Sequence, residues 1–301
     1  MSEICTWLYT PASSAAKLEK ALYRGADAVI FDLEDAVHVD RKSAAREELV
    51  EFLTSLAAPS EPGHTRSDDA GEASAPRAGS PSRIYVRVNS LDSKWGIDDL
   101  AAFGGLPIVE GIRVPKVESL SDLRRIESLT DSNKKIQVLL ESALGVRSLE
   151  ELCHDGGSSS VTLGDNDLRA ALNLEGEAVL DQFRIRLVLA LAAAGKEAPS
   201  GSVYPRIKDL TGLRDDSVRL RGMGFFGRTV LHPLQLETVR EAFRPSKEEV
   251  EWALSVVAAA ERIGSQGSGA VMLEDGQFVD RPFVARAETI LQRAGGPSAQ
   301  L

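Results

Sequence analysis

Short runs of Val, Ile, Leu and aromatic residues alternate along the chain with longer stretches in which apolar residues recur every three or four positions. The first pattern is that of strands covered on both faces, and the second that of helices lying against a sheet. Eight strand-like runs occur, at residues 6–9, 28–33, 84–88, 111–114, 136–140, 161–163, 202–204 and 228–231. Helical stretches separate them, so consecutive strands are expected to be parallel, and eight parallel strands suit a closed (β/α)8 TIM barrel.

Several helix ends are legible too. Ser13 or Ser14 precedes the stripe Leu18, Ala21 and Leu22, and Gly25 stands where a left-handed stop is wanted. Residues 181–194 are apolar enough for a barrel-covering helix. Past the eighth strand, Ser246 and Glu249 have the capping-box spacing ahead of a helix reaching about residue 263. Residues 269–273 and 277–279 then flank the polar Glu274-Asp275-Gly276 and predict a hairpin, followed by a helix to about Arg293. The expected organisation is a barrel over residues 1–243 and a C-terminal helix-hairpin-helix extension over residues 244–301. Residues 58–82 interrupt the pattern. Rich in Pro, Gly, Ser, Ala and mixed charge, they have little to bury and are expected to be a disordered insertion, with His64 and the Asp68-Asp69 pair as solvated linker residues.

The 301 residues, 43% hydrophobic and 27% charged, supply a core for one barrel and an appendage. A formal net charge of −10, with no Lys/Arg stripe, speaks against a nucleic-acid partner. No apolar run reaches the roughly 18 residues of a membrane span. The N-terminal residues lack the charged-then-apolar pattern of a signal peptide, so a cytoplasmic protein is expected. Cys5 and Cys153 belong to no CxxC pair, and His38, His64, His154 and His232 are scattered, so neither a disulfide framework nor a zinc site is expected.

In barrel enzymes the residues just after each strand build the active site. Here the second strand runs into Asp32-Leu33-Glu34-Asp35, the third into Arg87-Val88-Asn89, the fifth into Glu141-Ser142 and the sixth into Gly164-Asp165-Asn166-Asp167. Carboxylates gathered around one point repel unless a cation neutralises them. Oxygen ligands without Cys or His point to Mg²⁺ or Mn²⁺. The competing reading is that these acids cap the following helices, and a capping role is expected for Asp165. Glu141 follows the apolar run Val138-Leu139-Leu140 and has no evident capping role.

These residues also carry a family resemblance. Trp7-Leu8-Tyr9-Thr10-Pro11, the run from Gly25 through Val37, Asp40-Arg41-Lys42 with Ala45-Arg46, and Val86-Arg87-Val88-Asn89 occur in that order. Trp95-Gly96, Pro115-Lys116-Val117-Glu118-Ser119, Gly164 through Leu168 and His232-Pro233 follow. The series resembles the citrate lyase beta-subunit and malyl-CoA lyase family of the HpcH/HpaI aldolase superfamily, whose members act on CoA or acyl-carrier thioesters. The resemblance implies that Glu141 and Asp167 bind Mg²⁺ and that Arg87 binds a substrate carboxylate or the thioester oxygen. It also implies a homo-oligomer, trimer or hexamer, whose C-terminal extension reaches a neighbouring barrel and places Asp280 there as catalytic acid or base. The alternative for Asp280 is that it caps the last helix, ahead of Pro282. Two departures stand out: Pro11-Ala12 with Lys17 replaces a Pro-Gly pair and a nearby arginine, and Asn166 precedes Asp167 where the family more often has an acid.

The chemistry that such a site implies is a retro-Claisen cleavage of a 3-hydroxyacyl thioester into an α-keto acid and a shorter thioester. Arg87 would bind oxygen with its planar donor fork, Glu141 would act toward both metal and substrate, and Glu34, with Asp35, would serve catalysis by orienting water or Arg87. Three rivals remain: a Schiff base on Lys116, whose bland alternative is an ion pair with Glu118 or a nearby acid, thioester condensation followed by hydrolysis, and a non-catalytic subunit that keeps the fold. His232 is read as starting the last barrel helix, and His38, beside the Glu34-Asp35 turn, as a weaker candidate base.

Overall fold

The computed structural model describes residues 4–13, 15–57, 82–155, 160–264, 271–272 and 278–294. The predicted insertion lies outside them apart from Ser82, as do Ser14 and the predicted hairpin turn. Ser82 belongs to the folded part: it is buried, and its Oγ donates to Leu22 O at 3.1 Å and Ala26 O at 2.6 Å.

The chain divides into two units, Met1–Ala242 and Phe243–Leu301. The first follows the alternation read from the sequence. Its elements are β1 (Thr6–Pro11), α1 (Ala15–Leu22), β2 (Ala28–Asp32), α2 (Lys42–Ala57), β3 (Arg83–Arg87), α3 (Gly96–Phe103), β4 (Gly111–Val114), α4 (Leu120–Ser128) and β5 (Lys135–Leu140). Then come α5 (Ala143–Arg147), α6 (Leu149–Asp155), β6 (Ser160–Leu163), α7 (Asp165–Leu172), α8 (Glu177–Ala193), α9 (Leu210–Gly222), β7 (Arg228–Val230) and α10 (Leu236–Phe243). All five residues of β2 are buried, as a strand covered on both faces requires. The predicted covering helix is α8, which turns Leu180, Leu187, Ala190 and Leu191 inward together with the ion-paired Arg184.

Among the described residues, the strands of this unit form one parallel sheet of seven, in the order β6-β5-β4-β3-β2-β1-β7. Four steps separate β4 from β7, about 19 Å in a flat sheet. Yet Nη1 of Arg113 on β4 lies 3.2 Å from Oγ1 of Thr229 on β7. The sheet is therefore strongly curled, with these side chains on its concave face.

The strand expected at residues 202–204 is not formed. Residues 202–204 lie in no strand, and only Gly201 bridges to Arg228. Pro199 and Pro205, which have no N–H, bracket this segment, and Nε of Arg228 donates to Ser202 O at 2.7 Å. A side chain thus holds a carbonyl that a longer ladder would have used.

Because side chains alternate along a strand, the concave face reads as every second residue. Its lower layer is apolar: Trp7, Ala28, Ile30 and Tyr85 cluster with Ile4 and Tyr9, and the Trp7 and Tyr85 rings meet edge to face at 4.8 Å. Gly111 makes room for this plug, since a Cβ there would stand 2.3 Å from the Tyr85 ring. Two residues farther along β2, β3 and β4 come Asp32, Arg87 and Arg113. The period that fills the core thus delivers charge to its rim.

The second unit contains α11 (Lys247–Gly264), β8 (Val271–Met272), β9 (Phe278–Val279) and α12 (Arg281–Arg293). Ser246 and Glu249 form the expected capping box, with bonds of 3.2 and 2.7 Å. β8 and β9 pair antiparallel, and Ala253, Val256, Val279, Ala287 and Ile290 make a separate core.

Candidate active site

A cavity of about 370 Å³ opens among the C-terminal strand ends and takes in Asp32, Asp35, Arg87, Arg113, Glu141 and Asp167. The first four segments singled out in the sequence therefore do converge. Asp32 is fixed by its own turn, accepting from Glu34 N at 2.9 Å and Ala36 N at 3.2 Å. Arg87 binds it through Nε at 2.7 Å and Nη2 at 2.8 Å, and places Nη1 2.9 Å from Glu34 and 3.2 Å from Asp35. Its guanidinium stacks 4.7 Å from the Tyr9 ring centroid. Burial opposes the Arg87 charge, but Tyr9, Asp32 and Glu34 outweigh it and hold the proton more firmly than usual.

Glu34 is buried and receives Lys116 Nζ at 2.8 Å. Burial raises its pKa against the pull of Arg87 and Lys116. Lys116 thus pairs with Glu34 rather than Glu118, and it does so from a left-handed backbone conformation, φ 56°, that a lysine rarely adopts. Although burial opposes its charge, Glu34 raises its pKa, which favours the ammonium over the neutral amine that a Schiff base needs.

The remaining motif residues build the frame. Lys42 Nζ binds Leu33 O, Glu34 O and Asn89 Oδ1 at 3.1, 2.7 and 2.6 Å, while Asn89 donates from both nitrogens to Asp99 Oδ2. Gly96 has no alternative, because a Cβ would lie 2.1 Å from Ser90 O. Ser142 caps α5 through Gly145 N at 3.1 Å and donates to Glu118 Oε1 at 2.5 Å.

Glu141 leaves its strand end buried, with Oε2 making no hydrogen bond among the described residues. Burial first, then the charges of Glu34 and Asp167, push its carboxyl up to about 8. Its side chain lies across Gly164, where a Cβ would stand 2.5 Å from Glu141 Cγ. Asp167, in the first turn of α7, is exposed and lines the cavity. Asp165 is not a cap. Gly164 occupies the N-cap, and the buried Asp165 carboxylate bonds Arg184 of α8 instead.

No group of three or more His, Cys, Asp and Glu side chains is arranged to hold a metal among the described residues. Two carboxylates are nonetheless the donor set that Mg²⁺ commonly takes, the rest being water or substrate oxygen. A buried acid without a partner among the described residues, kept protonated first by burial and then by its acidic neighbours, fits such a cation. His232 Nδ1 accepts from Leu234 N at 3.1 Å, and the exposed His38 accepts from Asp40 N at 3.4 Å, so both are engaged in local turns. In the second unit, Asp280 stands at the N-cap of α12 yet makes no side-chain capping bond, and its Oδ1 is buried without a partner among the described residues. Arg113 was not among the expected site residues. The signal for it was a lone charge in Gly111-Ile112-Arg113-Val114, at an inward-facing position.

Acids gathered at the C-terminal strand ends of a curled parallel sheet are where enzymes built on such sheets place their active sites. The sequence profile of the HpcH/HpaI aldolase/citrate lyase family matches residues 6–65 and 63–233, and the chain belongs to this family. It is 35% identical over 290 residues to (3S)-malyl-CoA thioesterase of Cereibacter sphaeroides (strain ATCC 17025 / ATH 2.4.3), covering 95% of this chain and 93% of the relative. It is 30% identical over 304 residues to citrate lyase subunit beta of Escherichia coli (strain K12), covering 95% and 92%. Among solved structures it resembles CitE from Mycobacterium tuberculosis in complex with magnesium, acetoacetate and coenzyme A, with TM-score 0.75, 29% identity, and 97% and 98% of the two chains covered. A citrate lyase beta subunit from the same organism, complexed with oxaloacetate and magnesium, gives TM-score 0.63 and 26% identity over 80% of this chain and 96% of that one. Among the described residues no helix is long and apolar enough to cross a membrane.

Proposed function

We propose that the protein is a Mg²⁺-dependent carbon–carbon lyase that cleaves a 3-hydroxyacyl thioester, of the citryl-, malyl- or citramalyl-CoA type, into an α-keto acid and an acyl thioester. The observation that carries this reading is Glu141: buried, unpartnered, and pushed up to about 8 beside Asp167. Glu141 and Asp167 would hold the metal. When bound, Mg²⁺ supplies Lewis-acid stabilisation to the hydroxyl and carboxylate oxygens of the leaving keto acid. The magnesium-bound structural relatives support the choice of cation.

The remaining work falls to the chain's own residues. In the cleavage, the substrate hydroxyl loses its proton, the adjacent C–C bond breaks, and the thioester enolate carbon takes up a proton. Arg87 has five N–H groups: Asp32 takes one from Nε and one from Nη2, while Nη1 stands in ion-pair reach of Glu34 and Asp35. The second Nη2 hydrogen is available for a substrate oxygen, and the Arg87 charge also holds Glu34 in place. Glu34, between Arg87 and Lys116, is placed to hold a proton or orient water at the rim. Asp280, whose side chain makes no helix-capping bond among the described residues, suits the acid or base that serves the neighbouring subunit of a homo-oligomer.

The malyl-CoA thioesterases among the relatives favour a second reading, hydrolysis of the thioester at the same site. One experiment separates the two. Citryl-, malyl- and citramalyl-CoA are incubated with the protein, with Mg²⁺ or with EDTA, and keto acid and free thiol are measured. Mg²⁺-dependent release of keto acid without thiol is expected. Thiol without keto acid establishes the hydrolase, and full cleavage in EDTA overturns the metal assignment.

A further inference from the structure

Two arginines line the cavity, and their situations differ. Arg87 is surrounded by three carboxylates. Arg113 is only 2% exposed, and no acid pairs with it among the described residues. Its contacts are to neutral groups: Nε donates to Gln137 Oε1 at 3.1 Å, and Nη1 to Tyr9 Oη at 3.1 Å and Thr229 Oγ1 at 3.2 Å. The guanidinium carbon lies 5.5 Å from the centroids of both the Trp7 and Tyr9 rings, and Nη2 has no hydrogen-bond partner among the described residues.

Burying a guanidinium without a counter-charge is costly, so an arginine kept in this state is poised for an anion that arrives from outside. Its neighbours are suited to the same task. The hydroxyls of Tyr9 and Thr229 accept from Arg113 and therefore keep their own hydrogens to donate. Arg113, Tyr9 and Thr229 come from three different strands and line the one cavity that also contains Glu141 and Asp167. A carboxylate held among them would meet a cation and two hydroxyl donors at once.

We propose that Arg113, with Tyr9 and Thr229, binds a carboxylate of the substrate beyond the one taken at Glu141 and Asp167, and so selects thioesters whose leaving keto acid is a dicarboxylate. This rests on the lyase reading and narrows it. A keto acid with a single carboxylate leaves Arg113 buried and unpaired in the filled site, and a site built for a polar group discriminates strongly against analogues that lack it. Arg113 is in this sense a specificity-determining residue.

Malate is lactate with one additional carboxylate, which makes the pair a direct probe. Each is titrated calorimetrically, with Mg²⁺ present, into wild-type protein and into Arg113→Gln and Arg113→Lys variants. Wild type should bind malate about tenfold more tightly than lactate or better, as one charge-assisted contact warrants. Arg113→Gln should remove that preference by weakening malate alone, and Arg113→Lys should keep part of it. Equal binding of the two acids by wild type overturns the proposal whatever the variants do, and so does an Arg113→Gln variant that weakens lactate as much as malate. Failure of the lyase reading shows separately, as absence of keto acid from every thioester offered to the wild-type protein.

Discussion

At the scale of single residues, Glu141 links the site to pH. Its carboxyl is neutral below about 8 in the metal-free protein, because burial, and then Glu34 and Asp167, disfavour the charge. A divalent cation must displace that proton. Mg²⁺ affinity should therefore rise about tenfold per pH unit up to about pH 8 and level off above it, one proton being exchanged per ion. Titration calorimetry in two buffers of different ionisation enthalpy measures this directly. Close to one proton per Mg²⁺ is expected at pH 7 from wild type, and none from a Glu141→Gln variant, whose affinity should also be much lower. An affinity independent of pH between 6 and 8 would remove Glu141 from the metal site. Stability follows with the opposite sign. A raised pKa stabilises the fold fully below the ordinary value of 4.5, and that contribution is lost as pH rises through about 8, so Mg²⁺ should stabilise most at the alkaline end.

At the scale of elements, two helices that each start at a residue of capping type behave differently. Ser119 caps α4 in a complete capping box: Asp122 N donates to its Oγ at 3.2 Å, and Asp122 Oδ2 accepts from Ser119 N at 2.9 Å. Asp280 occupies the same position on α12 without a side-chain bond. Ser119→Ala should cost about 1 kcal/mol in urea unfolding and leave turnover nearly intact. Asp280→Ala should show the reverse, within about 0.5 kcal/mol of wild-type stability yet with turnover largely lost. A destabilised but active Asp280→Ala protein would reduce Asp280 to a helix cap.

For the whole molecule, the consequence concerns assembly. If Asp280 serves a neighbouring subunit, neither Asp280→Asn nor Glu141→Gln protein is active alone, but mixed oligomers contain some sites with both residues intact. Unfolding the two variants together and refolding them should restore part of the activity, and light scattering should report an oligomer. Mixtures as inactive as their components, or an active monomer, contradict the arrangement.

Much of this was legible along the chain. The alternation of runs placed seven of the strands, because burial on both faces leaves a local signature in composition, and the acids that follow β2, β5 and β6 stood out as strand-end residues. What each polar side chain meets was not legible, since strand order and the curl of the sheet decide it. Lys116 finds Glu34, 82 positions away in sequence, rather than the nearby Glu118, and Asp165 reaches Arg184 instead of capping its own helix. The segment at 202–204 has the composition of a strand, but it lies between Pro199 and Pro205, and the Arg228 side chain takes its Ser202 carbonyl. Arg113 reads locally as one charge in an apolar run. Only the curl, by bringing β4 across to β1 and β7, surrounds it with hydroxyls and leaves it without a counter-ion among the described residues. Periodicity determines which face a residue takes, whereas the partner waiting on that face is a property of the folded sheet.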